Sequence, residues 1–321
     1  MLSDVALKVV LGRLSPAGHN ARLTVLIFHR VMAARDALRP YEPTVAEFAD
    51  ILDWVQRWFT VLPLSDAITR LRSDSLPARA LSITFDDGYA DNHRLAAPEL
   101  QRRGLSATFF IATRYLDGGR MFNDTVIEAI RTCRGETLDL SSLELGVHRL
   151  ANDGERRTVI AALLPQVKKS GVQQRLELAD RIAERAGARP PDDLMMTSQD
   201  LVSLVGAGME IGGHTDSHPI LADLPEATAR REIELGRDRL QSIAGRRVGV
   251  FAYPYGRPGD DYTKATRDLV RTLGFDAALS TAYGVASRET SLFDLPRFTP
   301  WDRSRLRFGL RLAHNAMRTQ A

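Results

Sequence analysis

The sequence predicts an α/β protein with a largely parallel sheet, and three observations carry that expectation. Strand-like apolar runs alternate along the chain with segments of helical periodicity. With 321 residues and 44% hydrophobic content, there is enough apolar surface for a sizeable core, in one large domain or two ordinary ones. The motifs that could carry chemistry each follow a candidate strand, as sites do at the C-terminal strand ends of α/β barrels.

The first residues, Met1-Leu2-Ser3-Asp4, bring an early acid, and neither a long apolar core nor a small-residue cleavage site follows. This is not the pattern of a secretory signal, so a cytoplasmic protein is expected. Candidate strands fall at residues 23–28, 80–85, 107–111, 209–213, 248–252 and 275–279, with a last short one before Arg297. Between the first two, Thr44-Val45-Ala46-Glu47 has capping-box spacing, and Phe48, Ile51, Leu52 and Val55 continue it as an apolar stripe. Residues 92–103 read as a helix closed by Gly104. Another opens near Pro225 and runs through Ile233 and Leu240 to a stop near Gly245. The segment 117–193 is different: helix-rich, with candidates at 125–134, 155–169 and 173–186, and no convincing strand. It is expected to be an insertion between barrel strands, from which Pro190-Pro191-Asp192-Asp193 leads back to the body.

Composition narrows the function classes. The formal charge is only +3 and bases are interspersed with acids almost everywhere, which gives nucleic-acid binding little support. No run reaches the ~20 apolar residues needed to span a bilayer. The exception to the even charge pattern is Arg303-Ser304-Arg305-Leu306-Arg307-Phe308-Gly309-Leu310-Arg311-Leu312, which alternates arginine with apolar residues. Such a segment can lie on an anionic membrane, here at its inner face, or simply pack one side of a final helix on the body. The single cysteine, Cys133, excludes an intramolecular disulfide and reads as a small buried hydrophobe.

Three stretches suggest a reaction. In Ser82-Ile83-Thr84-Phe85-Asp86-Asp87-Gly88-Tyr89 an apolar run ends in two adjacent carboxylates. Both cannot be buried and ionised unless a cation or hydrogen-bond donors compensate, although Asp-Asp-Gly is also ordinary turn composition. In Gly212-Gly213-His214-Thr215-Asp216-Ser217-His218-Pro219, two imidazoles four residues apart can point at one ion. One carboxylate and two imidazoles hold a divalent ion and leave positions open, and the second carboxylate is then free to accept a proton. In Tyr253-Pro254-Tyr255-Gly256, proline and glycine fix a turn whose backbone N–H groups could face an oxyanion.

These three runs resemble, in order, the first three motifs of the polysaccharide deacetylase family, which shares the NodB homology domain and is also known as carbohydrate esterase family 4. The resemblance extends from about residue 23 to residue 297. It implies a distorted (β/α)7-8 barrel of the NodB type with a helical insertion: one such domain over 1–321, the insertion at 117–193 and a basic amphipathic segment at 301–321. It implies that Asp87, His214 and His218 bind a divalent metal, that Asp86 is the general base and that the Tyr255 N–H helps hold the oxyanion. Zn2+ is the first choice of ion, with Co2+, Ni2+ or Mn2+ as alternatives. The implied reaction releases acetate from an N-acetylated glycan or sugar precursor and leaves an amine.

The chain departs from the family pattern twice. Many members carry an arginine two residues before the proline of the third motif, and Ala252 stands there, so Asp86 needs another partner; Arg297, in Asp294-Leu295-Pro296-Arg297-Phe298, is the candidate. Many members also place a catalytic acid on a C-terminal histidine, where this chain offers only His314. The run Leu23-Thr24-Val25-Leu26-Ile27-Phe28-His29 instead resembles the opening of the exopolysaccharide deacetylase branch, whose permuted barrel uses this histidine as the acid. The first and last strands of a closed sheet are neighbours, which makes His29 the choice. His19, His93 and His148 receive no role. Two rival functions stay open: another amidohydrolase chemistry, such as cyclic imide or N-formyl hydrolysis, and a non-catalytic carbohydrate-binding relative whose support is the missing arginine at Ala252.

Overall fold

A computed structural model describes residues 4–318, so the last three residues of the predicted 301–321 segment lie outside it. The described residues form nine strands: β1 Leu23–Phe28, β2 Thr60–Val61, β3 Ala80–Phe85, β4 Thr108–Ile111, β5 Thr137–Asp139, β6 Val147–Arg149, β7 Glu210–Gly213, β8 Val250–Ala252 and β9 Ala277–Leu279. Its α-helices are α1 Asp4–Leu14, α2 Val45–Trp58, α3 Leu64–Arg72, α4 Ala97–Arg102, α5 Phe122–Thr132, α6 Asp153–Lys168, α7 Val172–Arg185, α8 Ser198–Gly206, α9 Glu226–Ala244, α10 Lys264–Thr272 and α11 Arg305–Ala316. Two compact units result, one made of Met1–Ala34, Tyr41–Arg114 and Met196–Ala321, the other of Arg35–Pro40 and Tyr115–Met195.

The first unit is an α/β half-barrel. Its curled sheet runs β1-β3-β4-β7-β8-β9 with every pairing parallel. β1 covers one edge of β3 along its whole length, so β2, at Ala80 and Leu81, and β4, at Thr84 and Phe85, share the other edge. Strands β1, β3 and β4 are buried throughout, which explains their unbroken apolar runs. The short strand expected before Arg297 is not a regular one. Residues 292–298 make isolated bridges, Leu279 to Leu295 and Leu26 to Phe298, and so hydrogen-bond to both sheet edges.

The helices follow local rules. Thr44 and Glu47 form the expected capping box before α2, which buries Phe48, Ile51, Leu52, Val55 and Trp58. The helix expected at 92–103 is broken in two: residues 92–96 form a π-helical turn, and α4 begins at Ala97. Pro98 is the cause, because its ring would clash with a carbonyl four residues back in an α-helix and the wider turn relieves this. α9 ends at Gly245, whose φ of 64° is a left-handed cap. α11 packs Phe308 against Trp54, Trp58 and Phe298, with ring centroids 5.7, 6.2 and 6.1 Å apart. None of the described helices is long and apolar enough to cross a membrane.

The second unit corrects the expectation of a strandless insertion. β5 and β6 form an antiparallel hairpin inside it, in which Leu138 is buried between two exposed neighbours. Three-residue strands leave too little alternation to be seen in sequence. Leu38, from the separate segment 35–40, joins the core of Val126, Ile130, Leu163 and Ile182. Asp36 pairs with Arg131 and Arg39 with Asp124 in the same unit.

Glu210 ties the start of β7 to its neighbours in the first unit. Its carboxylate accepts from the Leu64 and Ser65 N–H groups in the first turn of α3, and from Thr108 Oγ1 on β4. Glu210→Ala is therefore expected to lower stability by about 1–3 kcal/mol, read as a drop of several degrees in the thermal midpoint.

Candidate active site

The backbone beyond β3 sets the site. The Asp86 N–H donates to the Phe28 carbonyl at 2.9 Å, extending the β1–β3 ladder by one residue. Asp87 then enters the left-handed region with φ 78°, and Gly88 follows at 94°. Ile111 atoms would lie 3.0 Å from a Cβ at Gly88, which adds a steric demand for glycine. The two neighbouring carboxylates leave this turn for different partners.

Asp86 meets Arg297. The guanidinium, wholly buried, donates through Nη1 and Nη2 to the two carboxylate oxygens at 2.7 and 2.8 Å. Its Nε donates to the Ser280 carbonyl at 2.8 Å, so the fork is aimed from behind. Arg297, drawn from the segment that bridges the sheet edges, fills the place for which Ala252 offers no charge. Asp87 meets the histidines: its Oδ1 lies 3.4 Å from both His214 Nε2 and His218 Nε2. His214 Nδ1 donates to the Ala252 carbonyl at 2.7 Å, which leaves Nε2 turned to Asp87. The ligand atoms of Asp87, His214 and His218 all lie within 4.8 Å of one another, and all three residues are buried. Edges of about 3.4 Å are those of a tetrahedron with ~2.1 Å bonds, as zinc makes with imidazole and carboxylate. The donor set therefore fits a divalent ion.

The loop after β7 is braced from three sides. Thr215 and His218 both have positive φ, 67° and 55°, and the Thr215 hydroxyl accepts from the His218 N–H at 3.0 Å. From α9, Glu232 accepts from the Ser217 N–H and hydroxyl at 2.8 and 2.7 Å and, through its carbonyl, from the Asp216 N–H. From beyond β4, Thr113 donates to the Asp216 carboxylate at 2.7 Å. Tyr255, after β8, sits at φ 59° in a three-residue turn closed by the Gly256 N–H on the Pro254 carbonyl. Its ring centroid is 4.7 Å from that of His218. Aromatic residues rarely adopt this conformation, and its occurrence beside the histidines is strain held by the surrounding structure.

His29 follows β1 directly and is half-buried, next to the Phe28 carbonyl that accepts from the Asp86 N–H. The turn after the aspartates holds its backbone: Asn92 Nδ2 donates to the His29 carbonyl at 2.9 Å, and Asp91 accepts from Arg30 Nε and the Val31 N–H. His314 stands exposed on α11 and is not among the leading charges on either aspartate. His93 lies 3.0 Å from both Asp200 and Ser203 of α8, His19 pairs with Asp74, and His148 contacts the Leu145 carbonyl. The sequence gives no sign of Asp91, Asn92 and Glu232, because each sits in ordinary helical or turn composition and meets its partners only once folding has brought distant segments together.

Burial alone would raise both aspartates. For Asp86 the Arg297 charge, then His214 and the Arg297 hydrogen bonds, reverse this and hold the carboxyl below its ordinary value. For Asp87 the His214 hydrogen bond and the charges of His218 and His29 hold it well below. Burial would lower His214, but the Asp87 hydrogen bond and the charges of Asp86 and Asp87 raise it. The pair is thus arranged to be ionised twice over.

The polysaccharide deacetylase family profile matches residues 73–140 and 147–278. The chain belongs to that family. Among curated relatives, it is 31% identical over 93 residues to YxkH of Bacillus subtilis (strain 168), provisionally named a polysaccharide deacetylase. That match spans 28% of this chain and only 32% of the relative. Among solved structures, the deacetylase PplD of Streptococcus pyogenes, in complex with acetate, superposes with a TM-score of 0.60 at 16% identity over 87% of this chain and 92% of that one. IcaB of Ammonifex degensii gives 0.58 at 19% identity over 95% and 99%. At these identities the superpositions speak for the barrel fold.

Two expectations follow. A Cβ at Gly236 of α9 would fall 2.6 Å from the Thr215 backbone. Gly236→Ala should therefore destabilise by about 1–3 kcal/mol in denaturant unfolding, against the ~1 kcal/mol that alanine normally gains in a helix. Asp86→Asn removes one charge of a buried pair, at a cost of about 3–5 kcal/mol. Because the folded-state carboxyl titrates below its ordinary value, that advantage is present above about pH 4 and is lost as pH falls through the lowered value. The stability gap between wild type and Asp86→Asn should stay level from pH 7 to about pH 5 and narrow as pH falls below about 4.

Proposed function

We propose that the chain is a metal-dependent carbohydrate N-deacetylase, hydrolysing the acetamide of an N-acetylated sugar, oligosaccharide or polysaccharide precursor to acetate and an amine. The observation that carries this reading is the division of the adjacent carboxylates: Asp87 toward two imidazoles, Asp86 toward a buried guanidinium. Asp87, His214 and His218 would hold a divalent ion, with zinc the first choice for this donor set, and such an ion would supply a lowered pKa for a water and polarisation of an amide carbonyl. Asp86, kept as a carboxylate by Arg297, accepts the water's proton as the oxygen attacks the carbonyl carbon. The Tyr255 N–H faces the oxyanion. His29 gives a proton to the sugar nitrogen as the C–N bond breaks. Its place directly after β1, next to the Phe28 carbonyl that accepts from the Asp86 N–H, and the exposed position of His314 favour it as the acid. The Arg297 clamp also supplies what the missing arginine at Ala252 would have provided, which removes the ground for a non-catalytic reading.

Asp86→Asn should abolish acetate release from N-acetylated oligosaccharides, by about 10²-fold or more, while equilibrium dialysis still finds bound zinc; retained turnover in a metal-loaded Asp86→Asn preparation refutes the base. Chelation should silence the wild type, with zinc restoring it. His29→Ala is expected to cost about 10²–10⁴-fold in kcat and His314→Ala nothing measurable; the reverse pattern moves the acid to α11.

A further inference from the structure

Helix α11 is apolar on two sides. Phe308, Gly309, Leu312 and Ala316 are buried against the body, yet Leu306, Leu310 and Met317 are 47%, 48% and 59% exposed. With Ala313 these three follow i, i+4, i+7, i+11 spacing, a continuous stripe on the side where a soluble helix carries polar groups. Its neighbour repeats the pattern. α1 buries Leu7 and Leu11 while Val5 and Val9 are 71% and 49% exposed, with Val10 at their edge.

The two helices lie against each other. Asp4 pairs with Arg305, and a Cβ at Gly309 would overlap the Leu7 side chain, so the missing side chain is what lets α1 come close. On a helical projection at 100° per residue, Gly309 adjoins Ala313, Leu306 and Met317, so the stripe on α11 starts at the α1 contact and continues outward. The basic residues Arg307, His314 and Arg311 lie beyond it.

Charge selects the occupant. Residues 5–35 and 303–321 contain no acid at all, in a chain with 43 basic and 40 acidic residues. The exposed polar positions of the two helices are Lys8, Arg13, Arg305, Arg307 and His314. The acid of α1, Asp4, is half-buried and bonded to Arg57, Trp58 and Arg305. A second copy docking here would set one cationic rim against another, whereas an anionic lipid surface matches both the apolar stripe and its border.

We propose that the paired outer faces of α1 and α11 form a peripheral membrane-docking surface, with the valines and leucines in the headgroup boundary and the cations on anionic lipid phosphates. This stands independently of the deacetylase reading. The test is flotation of the full chain with phosphatidylcholine vesicles, with and without about 30% phosphatidylglycerol. Wild type should float with the anionic vesicles at least about tenfold more strongly than with neutral ones, and lose most of that binding at high salt. Leu306→Glu/Leu310→Glu should weaken it at least tenfold with circular dichroism and acetate release unchanged. Should that variant misfold, Lys8→Gln/Arg307→Gln leaves the apolar surface intact and should weaken anionic binding about tenfold. The proposal is overturned if wild type does not float, if both variant pairs float undiminished, or if the chain sediments as a dimer that Leu306→Glu/Leu310→Glu dissolves.

Discussion

Two full negative charges on consecutive residues, both out of water, are the constraint around which the first unit is arranged. Left alone, Asp86 and Asp87 would repel each other and one would stay protonated. The structure instead gives each its own cationic field from a different direction, with the left-handed turn at Asp87 separating the side chains. Arg297 satisfies Asp86 through a fixed, bidentate pair. The imidazoles satisfy Asp87 in a way that an ion can take over. The chemical difference between two identical residues is thus made entirely by what faces them.

Strain is concentrated in the same place. Asp87, Thr215, His218 and Tyr255 all hold left-handed backbone without being glycine. Each sits two to five residues past the end of a strand, where ladder hydrogen bonds hold one side and a bracing contact holds the other. Glu232 braces the loop at Ser217, and the Thr281 hydroxyl donates to the Tyr255 carbonyl at 2.9 Å. Such conformations persist only where the surroundings over-determine them. The fully buried strands supply that rigidity.

What could be read from the sequence divides along range of interaction. The strands and α2 were legible because burial on both faces and a capping box are local signals. The cluster of Asp87, His214 and His218 was legible because these residue types and spacings are unusual together. Arg297 could be placed only as a candidate, since its partner is 211 residues away and no periodicity links them. The π-helical turn at 92–96 was hidden although its cause, Pro98, was in view, because the wider turn mimics a helix in pattern. The hairpin of β5 and β6 was hidden because its six paired residues bury little more than Leu138.

The source of Arg297 has a consequence for synthesis. Asp87, His214 and His218 are all present once the chain has reached residue 218, but the partner of Asp86 lies at position 297 of 321, on the segment that joins β9 back to β1. A chain that stops short of residue 297 lacks both the counter-charge of Asp86 and the bridges that join the sheet edges. Charge balance at the paired carboxylates and completion of the sheet thus depend on one late stretch of backbone.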